Sequence, residues 1–108
     1  MRKWIVLSSV AALAAVWPVA AADKAGDVAK GKEVFEQCSV CHNVDNDEKK
    51  IGPSLKGLYK HAKLKNGKKV GDDTILAVIN AGGGGMPAYS DTLSDQEKTD
   101  VIAYLKTL

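Results

Sequence analysis

Residues 38–42 read Cys38-Ser39-Val40-Cys41-His42, and this stretch carries more chemical information than the rest of the chain. Two thiols two residues apart, with a histidine directly after, form the attachment pattern of a c-type haem. Each thiol adds across one haem vinyl group, and the two-residue spacer matches the separation of the vinyls. The adjacent imidazole of His42 can then reach the iron from the proximal side of the ring. The pattern implies one covalent haem c, with its iron, and hence redox or gas-binding chemistry.

Cys38 and Cys41 are the only cysteines, so the rival readings can be enumerated. A thioredoxin-like pair calls for a neighbouring βαβ pattern, and the surroundings are not strand-rich. A zinc site would need Cys38, Cys41, His42 and His61 together. Adjacent ligands at 41 and 42 suit a tetrahedral structural site poorly. A plain disulfide would close so short a loop that it stabilises little.

The sixth position of a haem iron remains to be assigned. Met1 belongs to the leader described below, which leaves Met86 as the remaining methionine. It lies in Gly82-Gly83-Gly84-Gly85-Met86-Pro87, where backbone without side chains can lie close to a flat ring and proline stiffens the exit. A thioether ligand favours ferrous iron and raises the potential. The competing descriptions are Met86 as core filler and His61 as the ligand. His61 sits among Lys60, Lys63 and Lys65, a setting that suits a solvated loop histidine.

Helices are the elements that must position these groups. Asp27 can cap a helix from Val28 to about Val40, with Val28, Gly31, Phe35 and Cys38 on one face. Gly31 costs such a helix about 1 kcal/mol against alanine, which implies a close helix crossing. Residues 43–71 are polar and lysine-rich and read as loop, with a helical turn near Ser54–Tyr59. Asp72-Asp73-Thr74 opens a second helix, Ile75 to Asn80, with Ile75, Val78 and Ile79 as its buried stripe and a stop at Gly82. Ser94 to Glu97 is a capping box starting a last helix whose apolar face is Val101, Ile102, Leu105 and Leu108. The domain reads as all-α.

The N-terminus has the grammar of a secretory signal: Arg2 and Lys3, an apolar run from Trp4 to Trp17, then Ala20-Ala21-Ala22 as a cleavage site. The alternative is an uncleaved membrane anchor. Cleavage near Ala22 gives residues 1–22 as signal peptide and 23–108 as one small domain in the periplasm, with no stable membrane insertion. That domain loses both tryptophans and keeps Phe35, Tyr59, Tyr89 and Tyr104, a thin supply of large apolar side chains. A haem at the centre would supply the missing apolar surface and couple binding to folding.

Without Arg2 and Lys3, basic residues balance the 13 acids, but unevenly. Lys49, Lys50, Lys56, Lys60, Lys63, Lys65, Lys68 and Lys69 follow one another with no acid among them. The segment is either a docking surface for an acidic partner or a solvated loop. Balanced charge and few aromatics argue against nucleic-acid binding.

With these residues in place, the chain resembles the class I c-type cytochromes, small monohaem electron carriers, over essentially all of residues 23–108. The likeness is strongest in Gly26 to Phe35 running into Cys38, in Ile51-Gly52-Pro53-Ser54-Leu55-Lys56-Gly57-Leu58, and in Asp100 to Leu105. The resemblance implies a single domain of three to four helices wrapped around a covalent haem. It implies that Gly31 and Phe35 cross against Val101 and Tyr104. It also implies that the Pro53 carbonyl accepts the Nδ1–H of His42. The chain departs from the family at Lys60-His61, where a glycine-arginine pair is usual, so Tyr59 or a lysine is the substitute donor to a haem propionate. Asn80 is the candidate for the polar group that other members place near the methionine sulfur.

These readings converge on a monomeric periplasmic shuttle, not an enzyme, with His42 and Met86 on the iron. Its partners would be membrane or periplasmic oxidoreductases, met through a small, largely uncharged patch at Ser39, Val40, Gly82 to Gly85 and Pro87. Two alternatives stay open. One is a haem protein with a labile sixth ligand, sensing gas or acting on peroxide. The other is a cytochrome subunit of a dehydrogenase complex.

Overall fold

The computed structural model describes residues 25–108, so the signal segment expected at 1–22 lies outside the described residues. Three helices follow in order: α1 (Val28–Phe35), α2 (Asp72–Ala81) and α3 (Asp95–Leu105), with a 3₁₀ turn at Leu58–Lys60. The domain is all-α. The nearest thing to a strand among the described residues is an isolated bridge, one at Lys63 and Lys69 and another at Gly83 and Met86.

The crossing of α1 on α3 is the main helix contact. Gly31 makes it possible. A Cβ there would overlap the Asp100 carbonyl and lie 2.9 Å from Tyr104 Cβ, so only glycine permits this approach. One turn on, the Phe35 and Tyr104 rings meet at 5.3 Å between centroids, tilted by 52°, a favoured aromatic geometry. Asp27 caps α1 by accepting from Lys30 N, and its own N–H donates to the buried carboxylate of Asp100 at 2.8 Å. The first turn of α1 is thereby tied to the middle of α3.

The expected helix to Val40 ends early, at Phe35. Beyond it three-residue bonds, Cys38 N to Phe35 O at 2.8 Å and Cys41 N to Cys38 O at 3.1 Å, mix with four-residue ones, Ser39 N to Phe35 O at 3.0 Å and His42 N to Cys38 O at 2.9 Å. Ser39 Oγ donates to the Glu36 carbonyl at 2.6 Å and Gln37 Nε2 to the Val34 carbonyl at 3.2 Å. Such side-chain bonds compete with helix continuation, and residues 36–41 become a run of tight turns.

The apolar face of α2 is as expected at Ile75 and Ile79, both buried, while Val78 is only half-buried. The capping box of α3 is complete, with Glu97 N bonded to Ser94 Oγ and Ser94 N to Glu97 Oε1. Val101, Ile102 and Leu105 join Phe35, Leu58, Ile75, Ile79 and Leu93 in one core. Leu108 lies past the end of α3 and is half-buried.

Candidate functional site

The turn after α1 sets out the chemical groups. Cys38 O accepts from both Cys41 N (3.1 Å) and His42 N (2.9 Å), which holds the two thiols and the imidazole on one tight loop. Cys38 and Cys41 are half-buried free thiols. Burial pushes the Cys38 thiol up, and the neighbouring Cys41 adds to the effect. A redox-active dithiol depends on a lowered thiol pKa, and Cys38 is shifted the opposite way.

His42 is fixed by the segment that packs on it. Its Nδ1 lies 2.8 Å from the Pro53 carbonyl. A carbonyl only accepts, so Nδ1 carries the proton and Nε2 is left as the lone-pair nitrogen. Gly52 N donates to the Cys41 carbonyl at 2.7 Å, which brings this segment against the cysteine turn. A Cβ on Gly52 would stand 2.6 Å from His42 Cε1 and 2.9 Å from Nδ1, so only a glycine lets the chain pass beside the ring.

Met86 sits on an arch that leaves α2. Gly82 adopts φ 62° and ψ −150°, a conformation open to glycine, and ends the helix. Gly83 N to Met86 O (2.9 Å) and Met86 N to Gly83 O (3.1 Å) close the arch. Tyr89 N then bonds to the Ile79 carbonyl at 2.9 Å, drawing the exit of the arch back along α2. Burial raises the Tyr89 phenol pKa, and the cysteine turn at Cys38 and Cys41 raises it further. Sequence reasoning gave Tyr89 no role; its place three residues past Met86 was the available signal.

Other candidates fall outside this group. His61 is exposed, and among the described residues no three His, Cys, Asp or Glu side chains converge as a metal site. The Tyr59 hydroxyl donates to Asp72 Oδ1 at 2.6 Å. Lys49, Lys50, Lys56, Lys60, Lys63, Lys65, Lys68 and Lys69 are all exposed. Among the described residues, the ion pair present is the one between Lys106 and Asp72, so none of these lysines is paired. A cleft of about 410 Å³ between residues 25–26, α2 and α3 contains none of the candidate ligands.

A family model described as cytochrome c oxidase, cbb3-type, subunit III, matches residues 26–105. The chain is 37% identical over 82 residues to cytochrome c6 of Synechocystis, covering 75% of this chain and 65% of that relative's length. It is 30% identical over 123 residues to cytochrome c2 of Blastochloris viridis, covering 98% of this chain and 93% of that one. Among solved structures, cytochrome c6 of the diatom Phaeodactylum tricornutum superposes with a TM-score of 0.61 at 27% identity, over 76% of this chain and 93% of that one. Cytochrome cH of Methylobacterium extorquens gives 0.52 at 26% identity, over 77% and 100%. No described helix is long and apolar enough to cross a membrane.

Proposed function

The chain belongs to the class I c-type cytochromes, whose members carry electrons and are not enzymes, and from that premise we propose that it is an exported one-electron shuttle. In this reading Cys38 and Cys41 hold a single haem c, His42 and Met86 are its axial ligands, and Pro53 orients His42. Residues 1–22 are the signal peptide and 23–108 the mature monomer, working in the periplasm between oxidoreductase partners. The observation that carries the reading is the His42–Pro53 contact of 2.8 Å within the Cys38–Cys41 turn, which presents Nε2 as a ligand of fixed tautomer.

The donor set fits the group. The cysteine turn offers two thiols on one loop beside an imidazole. The arch after α2 offers a half-buried thioether and a glycine backbone that can lie flat. Leu55, Leu64, Val70 and Tyr89 pack on the core while only partly covered, which leaves apolar surface that a large ring could cover. When bound, the haem supplies a one-electron ferrous–ferric couple. The residues would supply the rest: His42 is held rigid by the Pro53 carbonyl, and Met86 would contribute a soft donor that favours the reduced state.

Electrons would pass at the uncharged surface formed by Ser39, Val40, Gly83, Gly84, Gly85 and Pro87, all exposed. Val40 is 69% exposed and Ile51 beside the turn 74%, so the docking face is apolar at its centre, with Lys49 and Lys50 at its rim.

The test is the ferric absorption spectrum of protein matured with a c-type haem attachment system. A weak far-red methionine-to-iron band is expected, and Met86→Ala abolishes it. A native spectrum without that band would rule out Met86 ligation and turn attention to gas or peroxide binding. The family model's description as an oxidase subunit favours a second reading, residence in a larger complex. Stable co-purification with an oxidoreductase would favour that reading over a free shuttle.

A further inference from the structure

We propose that Lys98 is a positioning residue for the axial methionine, its ammonium fastening the exit of the Met86 arch to α3; this rests on the ligation reading above. Lys98 is 7% exposed, the one lysine buried among the described residues. A lysine is almost never fully buried unless paired, and the ion pair among the described residues is that of Lys106 with Asp72. The partner of Lys98 is a backbone atom: Nζ donates to the Ser90 carbonyl at 3.0 Å. Lys98 shares a face of α3 with the buried Val101 and Ile102, three and four residues on. A leucine there would extend that apolar face without desolvating a charge, so the ammonium is accounted for by the carbonyl it holds.

Ser90 lies four residues beyond Met86, and what holds it bears on how firmly the thioether is presented. The entry of the arch is loose. Gly82, Gly83, Gly84 and Gly85 all take positive φ, and a Cβ at Gly83, Gly84 or Gly85 would meet nothing within 4 Å, so the rest of the chain gives this stretch little support. Restraint must come from the exit. There Tyr89 N bonds to the Ile79 carbonyl at 2.9 Å, and Thr92 N and Leu93 N turn back to the Tyr89 carbonyl at 3.3 and 3.2 Å. These backbone bonds tie the exit to α2 and to itself. Among the described residues, Lys98 to Ser90 is the one side-chain hydrogen bond made to residues 82–93, and it brings in α3. A charged donor makes the stronger kind of hydrogen bond, and burial limits competition from water. Thus α3 references both ligand-bearing segments: the cysteine turn through the α1 crossing at Gly31, and the methionine arch through Lys98.

The test uses imidazole as a competing iron ligand on matured ferric holoproteins, following the far-red band in wild type, Lys98→Met and Lys98→Arg. Lys98→Met keeps an apolar stem but removes the charged donor. It is expected to lose the band at roughly tenfold lower imidazole, about the worth of one hydrogen bond from a charged group. Lys98→Arg, which keeps a cationic donor, is expected to lie nearer wild type. A purely structural lysine would move the melting temperature and leave the imidazole midpoint where it was, and that result overturns the proposal. If Lys98→Met does not mature, amide exchange in the wild-type ferric protein decides. With imidazole displacing Met86, the Met86 amide should lose protection while the Leu93 amide, beyond the Ser90 anchor, keeps it; loss at both overturns the proposal. A wild-type spectrum without the far-red band, or a band that survives Met86→Ala, would instead sink the ligation reading, and this proposal with it.

Discussion

At the scale of single residues, the site is governed by what each side chain can accept or donate. His42 is the sharpest case. The Pro53 carbonyl fixes which ring nitrogen carries the proton, and Gly52 makes room for the ring. The predicted consequence is that Gly52→Ala pushes a methyl into His42 Cε1 and Nδ1, tilts the ring and breaks the bond to Pro53. Removing such an outer partner costs roughly 10–100-fold in metal affinity elsewhere. Matured Gly52→Ala should therefore show a lower yield of attached haem and a shifted potential at unchanged helix content, read by the pyridine haemochrome assay and circular dichroism. Cys38, Cys41 and His42 were legible from the sequence because their spacing is itself chemistry. Gly52 stood in the sequence as part of a matching motif, but its role depends on a neighbour ten residues away in the chain and in contact only after folding.

At the scale of elements, the α1–α3 crossing decides whether the cysteine turn is presented at all. Gly31 brings the two helices together, Phe35 and Tyr104 fill the crossing, and the Asp100 carboxylate, 3% exposed, accepts from Asp27 N (2.8 Å) and Gln96 Nε2 (2.9 Å). Alanine at position 31 would gain about 1 kcal/mol in helix propensity. Its Cβ would nevertheless strike the α3 backbone at Asp100, and overpacking typically costs about 1–3 kcal/mol, more where backbone must move. Gly31→Ala should lower the melting temperature by roughly 10 °C, at about 4–8 °C per kcal/mol for a domain this small. A melt within a degree or two of wild type would show that the crossing adjusts freely. The costly glycine was readable as a crossing signal; the anchoring of α1 by Asp100 was not, because an aspartate near the middle of a helix reads as a solvated face.

At the scale of the whole molecule, a small polar cluster joins three distant parts of the chain. The Tyr59 hydroxyl donates to Asp72 Oδ1 at 2.6 Å, Lys106 Nζ reaches Asp72 Oδ2 at 2.9 Å, and the same ammonium lies 5.8 Å from the centre of the Tyr59 ring. The lysine-rich segment is thus tied to the start of α2 and the end of α3. The Tyr59 hydrogen bond, then the Lys106 ammonium, holds the Asp72 carboxyl below its ordinary value, with slight burial opposing. Burial, then the Asp72 carboxylate, raises the Tyr59 phenol. A lowered folded-state value means that Asp72 stabilises the fold above the ordinary carboxylate value of about 3.9 and loses that contribution as pH falls through the lowered value. A raised phenol means that Tyr59 stabilises below about pH 10 and loses its contribution as pH rises beyond. Asp72 and Lys106 are half exposed, so the effect is modest. Asp72→Asn should melt below wild type at pH 6 and converge with it in acid below about pH 4, followed by thermal denaturation. A constant gap across that range would mean that the carboxylate charge is not what holds the cluster.

The sequence by itself determined the all-α class, the cysteine–histidine turn, the glycine arch with its methionine and the capping box of α3. Each of these is local: a spacing, a period or a reciprocal pair a few residues apart, readable before any folding. Only the tertiary structure decided that Tyr59 spends its proton on Asp72, that Asp100 anchors the opposite helix, and that the Asn80 Oδ1 is buried without a hydrogen-bond partner. These depend on which distant backbone and side-chain groups meet. A hydrogen bond goes to whichever acceptor the packed chain brings within about 3 Å, and position along the sequence does not record that.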